Sequence, residues 1–314
     1  MRGRWLAGAV MMVATGAALG CAEQPQFETG AGPGSDEPSS CDRVTAVPAE
    51  VTRALGLGSR FYAKHCAALG IDVLASARVS DEVMLEAGRI VEGMFAERPE
   101  LRDAVHDRYF RVVLVASSAG ERLDDVPELS GLTRAESAAA GLGPDPEFPA
   151  ATVRDAVIVC RPRDRDPQAT PPGDTLVHEL GHALLEMGLA ETDPDFRARL
   201  EAAYQQARAQ DLWTLRVPTS VELLFGSLPT DNYLMTNPDE YWATGVSAWF
   251  GFKPIPLAYG LTDVSPPALQ LQVIYGRDSL SEHDPELSAL LTDIFGPSPT
   301  LRPSCEEWIP GSGS

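Results

Sequence analysis

The chain has 314 residues, 44% of them hydrophobic and 22% charged, with 25 Lys and Arg against 45 Asp and Glu for a formal net charge of -20. That length supplies a large buried core, so disorder is not the default, and the acidic surplus repels phosphate backbones and excludes nucleic acid as the expected partner. The one long apolar run covers residues 5–20, and no later segment reaches the roughly 18 apolar residues of a spanning helix.

Arg2 and Arg4 precede that run and Gly20-Cys21 closes it, which is the layout of an export signal. The stretch Ala18-Leu19-Gly20-Cys21 resembles a bacterial lipobox, with Ala18 where Leu is usual. The resemblance implies a signal peptide over 1–20, a lipidated Cys21 as the sole contact with a membrane, and a chain outside the cytoplasm, anchored in a bacterial cell envelope or secreted. Residues 22–40 carry Pro, Gly, Ser and acids without apolar periodicity, so 21–40 reads as a flexible tether and 41–314 as the folded domain. The other four cysteines, Cys41, Cys66, Cys160 and Cys305, are even in number and suit two disulfides in an oxidising compartment. Three pairings are open, and clasping the two ends favours Cys41 with Cys305 and Cys66 with Cys160.

Ser80 caps an expected helix through 97, with Val83, Ile90, Val91 and Met94 at helical spacing and Pro99 beyond its end. Residues 110–116 and 153–160 are short, β-branched and bounded by loop residues, and read as buried strands. Between them lies mostly loop, with a short helix expected near 133–140, and 161–173 is a loop rich in Pro and charge. From 174 onward helices dominate: 175–187, stopped by Gly188, then 193–210, 237–250 and 284–295. A strand-bearing region followed by a helical one implies an α+β fold. Trp213, Trp242, Trp249, Phe250 and Phe252 read as core aromatics of the helical part.

The chemistry gathers in the first of those helices, at His178-Glu179-Leu180-Gly181-His182. Histidines at i and i+4 lie one above the other on a helix, so both imidazoles can converge on one ion while the intervening glutamate stands beside it. This is the H-E-x-x-H pattern of zinc enzymes, and it needs a third protein ligand from elsewhere. His65, His106 and His283 are poorly spaced for that role. Glu240 is a candidate, because Asn237-Pro238 starts a helix and places it in the first turns.

Taken together, HELGH and Tyr233-Leu-Met-Thr236-Asn237-Pro-Asp-Glu240-Tyr241-Trp242-Ala243 resemble the catalytic domain of the anthrax lethal factor-like zinc metallopeptidases, a gluzincin family. A group of secreted bacterial proteins with the same signature is similar over about 61–295. There the likeness includes Gly70-Ile71, Val79-Ser80-Asp81-Glu82, Asp211-Leu212-Trp213 and Asp284-Pro285-Glu286-Leu287. The resemblance implies a zincin-like domain that binds one Zn2+ through His178, His182 and Glu240. It also implies Glu179 as general base, Tyr233 as donor to the oxyanion, and a peptide or protein as substrate. Thr244 departs from the family pattern, which has Glu four residues after the ligand Glu. An outer carboxylate of that kind orients a ligand histidine, and its loss typically costs roughly 10- to 100-fold in metal affinity or activity. Every ligand and catalytic position of the pattern is nonetheless filled, so an active zinc endopeptidase is expected, with a catalytically weakened or inactive relative that acts as a surface binding protein as the alternative.

Overall fold

The computed structural model describes residues 40–58, 60–145, 147–159, 171–228, 230, 232–261, 267 and 269–304. The expected signal peptide, Cys21, the tether up to 39, most of the 161–173 loop, Cys160 and Cys305 lie outside them.

The first half builds a mixed sheet from β1 (Thr45–Ala46), helix α1 (Ala49–Ala54), β2 (Lys64–Ala68), β3 (Ile71–Ala75), helices α2 (Asp81–Phe95) and α3 (Pro99–Asp107), then β4 (Arg111–Val115), β5 (Gly141–Leu142) and β6 (Ala150–Arg154). The strand order is β1-β2-β3-β4-β6-β5. β3, β4 and β6 run parallel, while β1, β2 and β5 are antiparallel to their neighbours. All five residues of β4 are buried, as expected for a parallel central strand covered on both faces. Val112 and Leu114 enter the larger core with the helices, whereas Val113 and Val115 join Leu57, Tyr62, Leu123, Val126 and Phe148 on the opposite face.

The second half is mainly helical: α4 (Asp174–Ala183), a π-helical stretch Leu184–Leu189 running into α5 (Ala190–Thr192), α6 (Phe196–Ala209), α7 (Thr219–Phe225), α8 (Pro238–Trp249), the hairpin β7 (Ile255–Leu261) and β8 (Leu269–Ile274), α9 (Gly276–His283) and α10 (Pro285–Phe295). The fold is therefore α+β and zincin-like, a small mixed sheet followed by a largely helical region that carries the His178, Glu179 and His182 cluster. Trp213, Trp242, Trp249, Phe250 and Phe252 are all buried, at about 1.5–3 kcal/mol for a large apolar side chain. Among the described residues no helix is long and apolar enough to cross a membrane.

Several expected elements take a different form. The strand expected over 153–160 instead ends at Arg154, because its partner β4 stops at Val115 in the paired register, and the chain turns through Asp155–Val157. Gly188 does not stop the motif helix, which continues to Thr192. A Cβ at Gly188 would lie 3.4 Å from Leu101 and 3.5 Å from Val105, so this glycine serves packing against α3. The helix expected near 133–140 shrinks to a single turn, Glu136–Ala138.

The disulfide pairing is also corrected. Cys41 bonds Cys66, with Cα atoms 5.2 Å apart, which rules out both Cys41 with Cys305 and Cys66 with Cys160. Cys66 lies on β2 above α2, and Cys41 is pressed onto that helix at Gly88, where an added Cβ would fall 2.4 Å from both its Cβ and its Sγ. A hydrogen bond reinforces the pairing. The Cys41 backbone N–H donates to Glu92 Oε1 on α2 at 2.6 Å, which holds the segment against that helix.

Candidate metal centre

α4 begins at a left-handed Gly173 and buries Leu176, Val177, Leu180 and Ala183 in the core. The remaining face turns His178 and His182 outward, where both side chains stay partly exposed. Their Nε2 atoms are 3.2 Å apart. Together with Glu179 they form a group whose ligand atoms lie within 4.8 Å of one another, and it can coordinate a metal ion.

α8 delivers the carboxylate of Glu240. Asn237 caps this helix by accepting from the Glu240 backbone N–H at 2.8 Å, and Pro238 occupies the first turn, so Glu240 sits at the positive end of the helix. The two helices meet at Gly181, where an added Cβ would lie 3.1 Å from Ala243 Cα. Three contacts lock that approach. Trp242 Nε1 donates to the Gly181 carbonyl at 2.9 Å, Ser247 Oγ donates to the Asp174 carbonyl at 3.2 Å, and Lys253 Nζ donates to Asp174 Oδ2 at 2.9 Å. From below, the buried Asp284 carboxylate accepts from Trp213 Nε1 at 2.9 Å and from Tyr241 OH at 2.6 Å, so the 211–213 and 284–287 blocks join in holding α8.

Glu240 Oε2 consequently lies 3.0 Å from His178 Nε2 and 3.7 Å from His182 Nε2. It is buried without a hydrogen bond of good geometry, although two imidazole nitrogens face it. The three atoms thus form a triangle with edges of 3.0, 3.2 and 3.7 Å. Around a tetrahedral zinc with bonds of roughly 2.0–2.1 Å, neighbouring ligand atoms stand about 3.3–3.4 Å apart. Two neutral imidazoles and a carboxylate are also a zinc donor set, and the site fits that ion.

The electrostatics point the same way. Burial alone would raise the Glu240 carboxyl, but the adjacent His178 and His182 hold it well below the usual carboxylate range. Burial would lower His182, yet Glu240 and Glu179 outweigh it and raise it. Glu179 is buried, and desolvation pushes its carboxyl up against the opposing pull of both histidines. Tyr233 stands in a turn just before α8, 60% exposed, with its ring centroid 6.1 Å from that of His178. Partial desolvation where the phenol meets the site, and then the Glu240 charge, push its pKa up, which keeps the O–H protonated as a donor.

All five residues singled out from the sequence therefore meet at one place. Thr244, one turn beyond Glu240, reaches neither histidine by hydrogen bond. Its Oγ1 is buried without a partner, and it borders an apolar cavity of about 200 Å³ with Tyr233, Lys253, Leu215 and Ile255. Sequence reasoning overlooked β5, which packs on α4 beside Glu179. Its two residues carry no periodic signal that could have marked it.

No family model matches the sequence, and no curated protein matches it. Among solved structures, a Pro-Pro endopeptidase from Paenibacillus alvei is similar with a TM-score of 0.41 and 14% identity, over 71% of this chain and 97% of that one.

Proposed function

We propose that the protein is a zinc-dependent metallopeptidase of the lethal factor-like kind, with His178, His182 and Glu240 as ligands. The observation that carries this reading is the triangle of ligand atoms on α4 and α8. Zinc bound there would supply a Lewis acid that polarises a peptide carbonyl and acidifies a water. Glu179, buried beside the histidines and raised in pKa, takes a proton from the attacking water and returns it to the leaving amine. Tyr233 donates its O–H to the carbonyl oxygen as charge develops, a bond that strengthens toward the transition state. The Cys41–Cys66 disulfide supports an oxidising compartment, in keeping with the lipobox-like export signal, and we place the folded domain after residue 40 outside the cytoplasm. A binding protein with weakened catalysis is the second reading, and the unpartnered Thr244 hydroxyl favours it, because no side chain at that position steadies a ligand histidine.

Metal content by mass spectrometry and cleavage of a peptide library test both. One zinc per chain is expected, weakened at least roughly 10-fold by Glu240→Ala. Glu179→Gln should keep the metal and lose about 100-fold or more in kcat. A chain without zinc overturns the metal site. Zinc without cleavage, with peptide binding that survives Glu179→Gln, puts the binding reading first.

A further inference from the structure

The edge strand β5 and the residue that follows it present Gly141 and Gly143 to α4, while Leu142 between them turns to the other face of the sheet and packs with the second core, following the two-residue alternation of a strand. Each glycine faces one oxygen of the Glu179 carboxylate. A Cβ at Gly141 would lie 3.1 Å from Glu179 Oε1 and 2.7 Å from Thr175 Cγ2. One at Gly143 would lie 3.1 Å from Glu179 Oε2 and 3.4 Å from His182 Cβ. These separations are tighter than an ordinary van der Waals contact of about 3.5–4.0 Å, and the side chains opposite belong to a helix locked at its N-terminal end by Ser247 and Lys253 and at Gly181 by Trp242.

We infer that Gly141 and Gly143 are positioning residues for the general base: the absence of both side chains lets the β5 backbone close over Glu179 and fixes its carboxylate between the histidines. The inference rests on the peptidase reading for the role of Glu179. The seat itself is a matter of steric fit. A methyl group at residue 143 would sit 3.1 Å from Oε2, and the carboxylate, the freest group in the contact, must give way by a few tenths of an ångström. A longer chain at 143 would do the same to the His182 Cβ, so alanine is the informative substitution.

Gly143→Ala is therefore compared with wild type for zinc content, for kcat and KM on a cleaved peptide, and for affinity toward acetohydroxamic acid, a small zinc chelator whose proton a neighbouring carboxylate accepts. Gly131→Ala is the control for adding a methyl to a glycine, since nothing lies within 4 Å of a Cβ there. The expected result is a fall in kcat of about 10-fold, smaller than the roughly 100-fold of a full 1 Å displacement, with KM, zinc and melting temperature as in Gly131→Ala and with weaker hydroxamate binding. In a Glu179→Asp background the shorter side chain retracts from residue 143, and the same substitution should then cost less than about 3-fold, the non-additivity expected of residues in contact. An unchanged kcat and hydroxamate affinity in Gly143→Ala overturns the inference, as does an equal loss in the Asp background. Normal turnover by Glu179→Gln would instead show that Glu179 is not the base, and the peptidase mechanism would fall while the hydroxamate comparison still reads the seat.

Discussion

Thr244 is 3% exposed and its Oγ1 is enclosed without a hydrogen-bond partner. A buried hydroxyl in that state costs about 1–3 kcal/mol of desolvation that no bond returns, so Thr244→Val, which keeps the shape and removes the oxygen, is expected to leave stability unchanged or raise it by about 1 kcal/mol. Urea denaturation of the two proteins checks this, and a loss beyond about 1 kcal/mol would mean that the hydroxyl is bonded in solution. The residues that the candidate site brings together were legible without a structure. His178 and His182 are tied by helical periodicity, and Glu240 by a cap that can be read from Asn237-Pro238. What could not be read was distance. The approach of α8 to α4 depends on Gly181, which reads in sequence as one of two variable positions within the motif.

At the scale of elements, legibility followed local signals. Ser80 caps α2 by accepting from the Val83 N–H, and Asn237 and Asp284 cap α8 and α10, so these helices lie within a few residues of expectation. The β7–β8 hairpin was missed because Pro256 breaks the strand pattern of β7. In the fold that proline sits at a register shift between Pro256 and Ala258, where the ladder is already irregular. The disulfide was misassigned for a different reason. Pairing depends on which chains share a face, and that face is set by Gly88 beneath Cys41. Gly88→Ala should consequently behave like loss of the bridge. Closing a loop with a sequence separation of 25 residues stabilises by about 3.5 kcal/mol in the chain-entropy account, so Gly88→Ala and the double variant Cys41→Ser, Cys66→Ser should each lose a few kcal/mol. Their combination should lose little more. Full additivity in thermal or urea unfolding would show that Gly88 acts elsewhere in α2.

The whole molecule joins two halves, each with a buried tyrosine that donates to a carboxylate, and the two predict its response to alkali. On the sheet face away from α4, Tyr62 donates to Glu128 Oε2 at 2.6 Å beside the buried Arg111. In the helical half, Tyr241 donates to the buried Asp284. Burial is the main cause that raises both phenols above their ordinary value of 10.0, with the adjacent carboxylate adding to it. Below pH 10 the folded and unfolded chains both keep these protons, and the stabilising contribution is complete. Above pH 10 the unfolded chain releases them while the folded chain retains them, so stability falls as pH rises, by about 1.4 kcal/mol per pH unit for each tyrosine. These two groups together contribute about 2.7 kcal/mol per unit from pH 10 upward, and Tyr275, also raised by burial, adds to it. Tyr241→Phe should be less stable than wild type at pH 8, because Asp284 loses a donor, at a cost of about 1.5–3 kcal/mol for a bond to a charged group. The same variant should show an alkaline slope shallower by about 1.4 kcal/mol per pH unit, and Tyr62→Phe should do likewise. Urea midpoints at half-unit steps from pH 8 to 11.5 distinguish the outcomes. A wild-type profile that stays flat past pH 10.5, or slopes that both substitutions leave untouched, would show that neither phenol is held protonated by the fold.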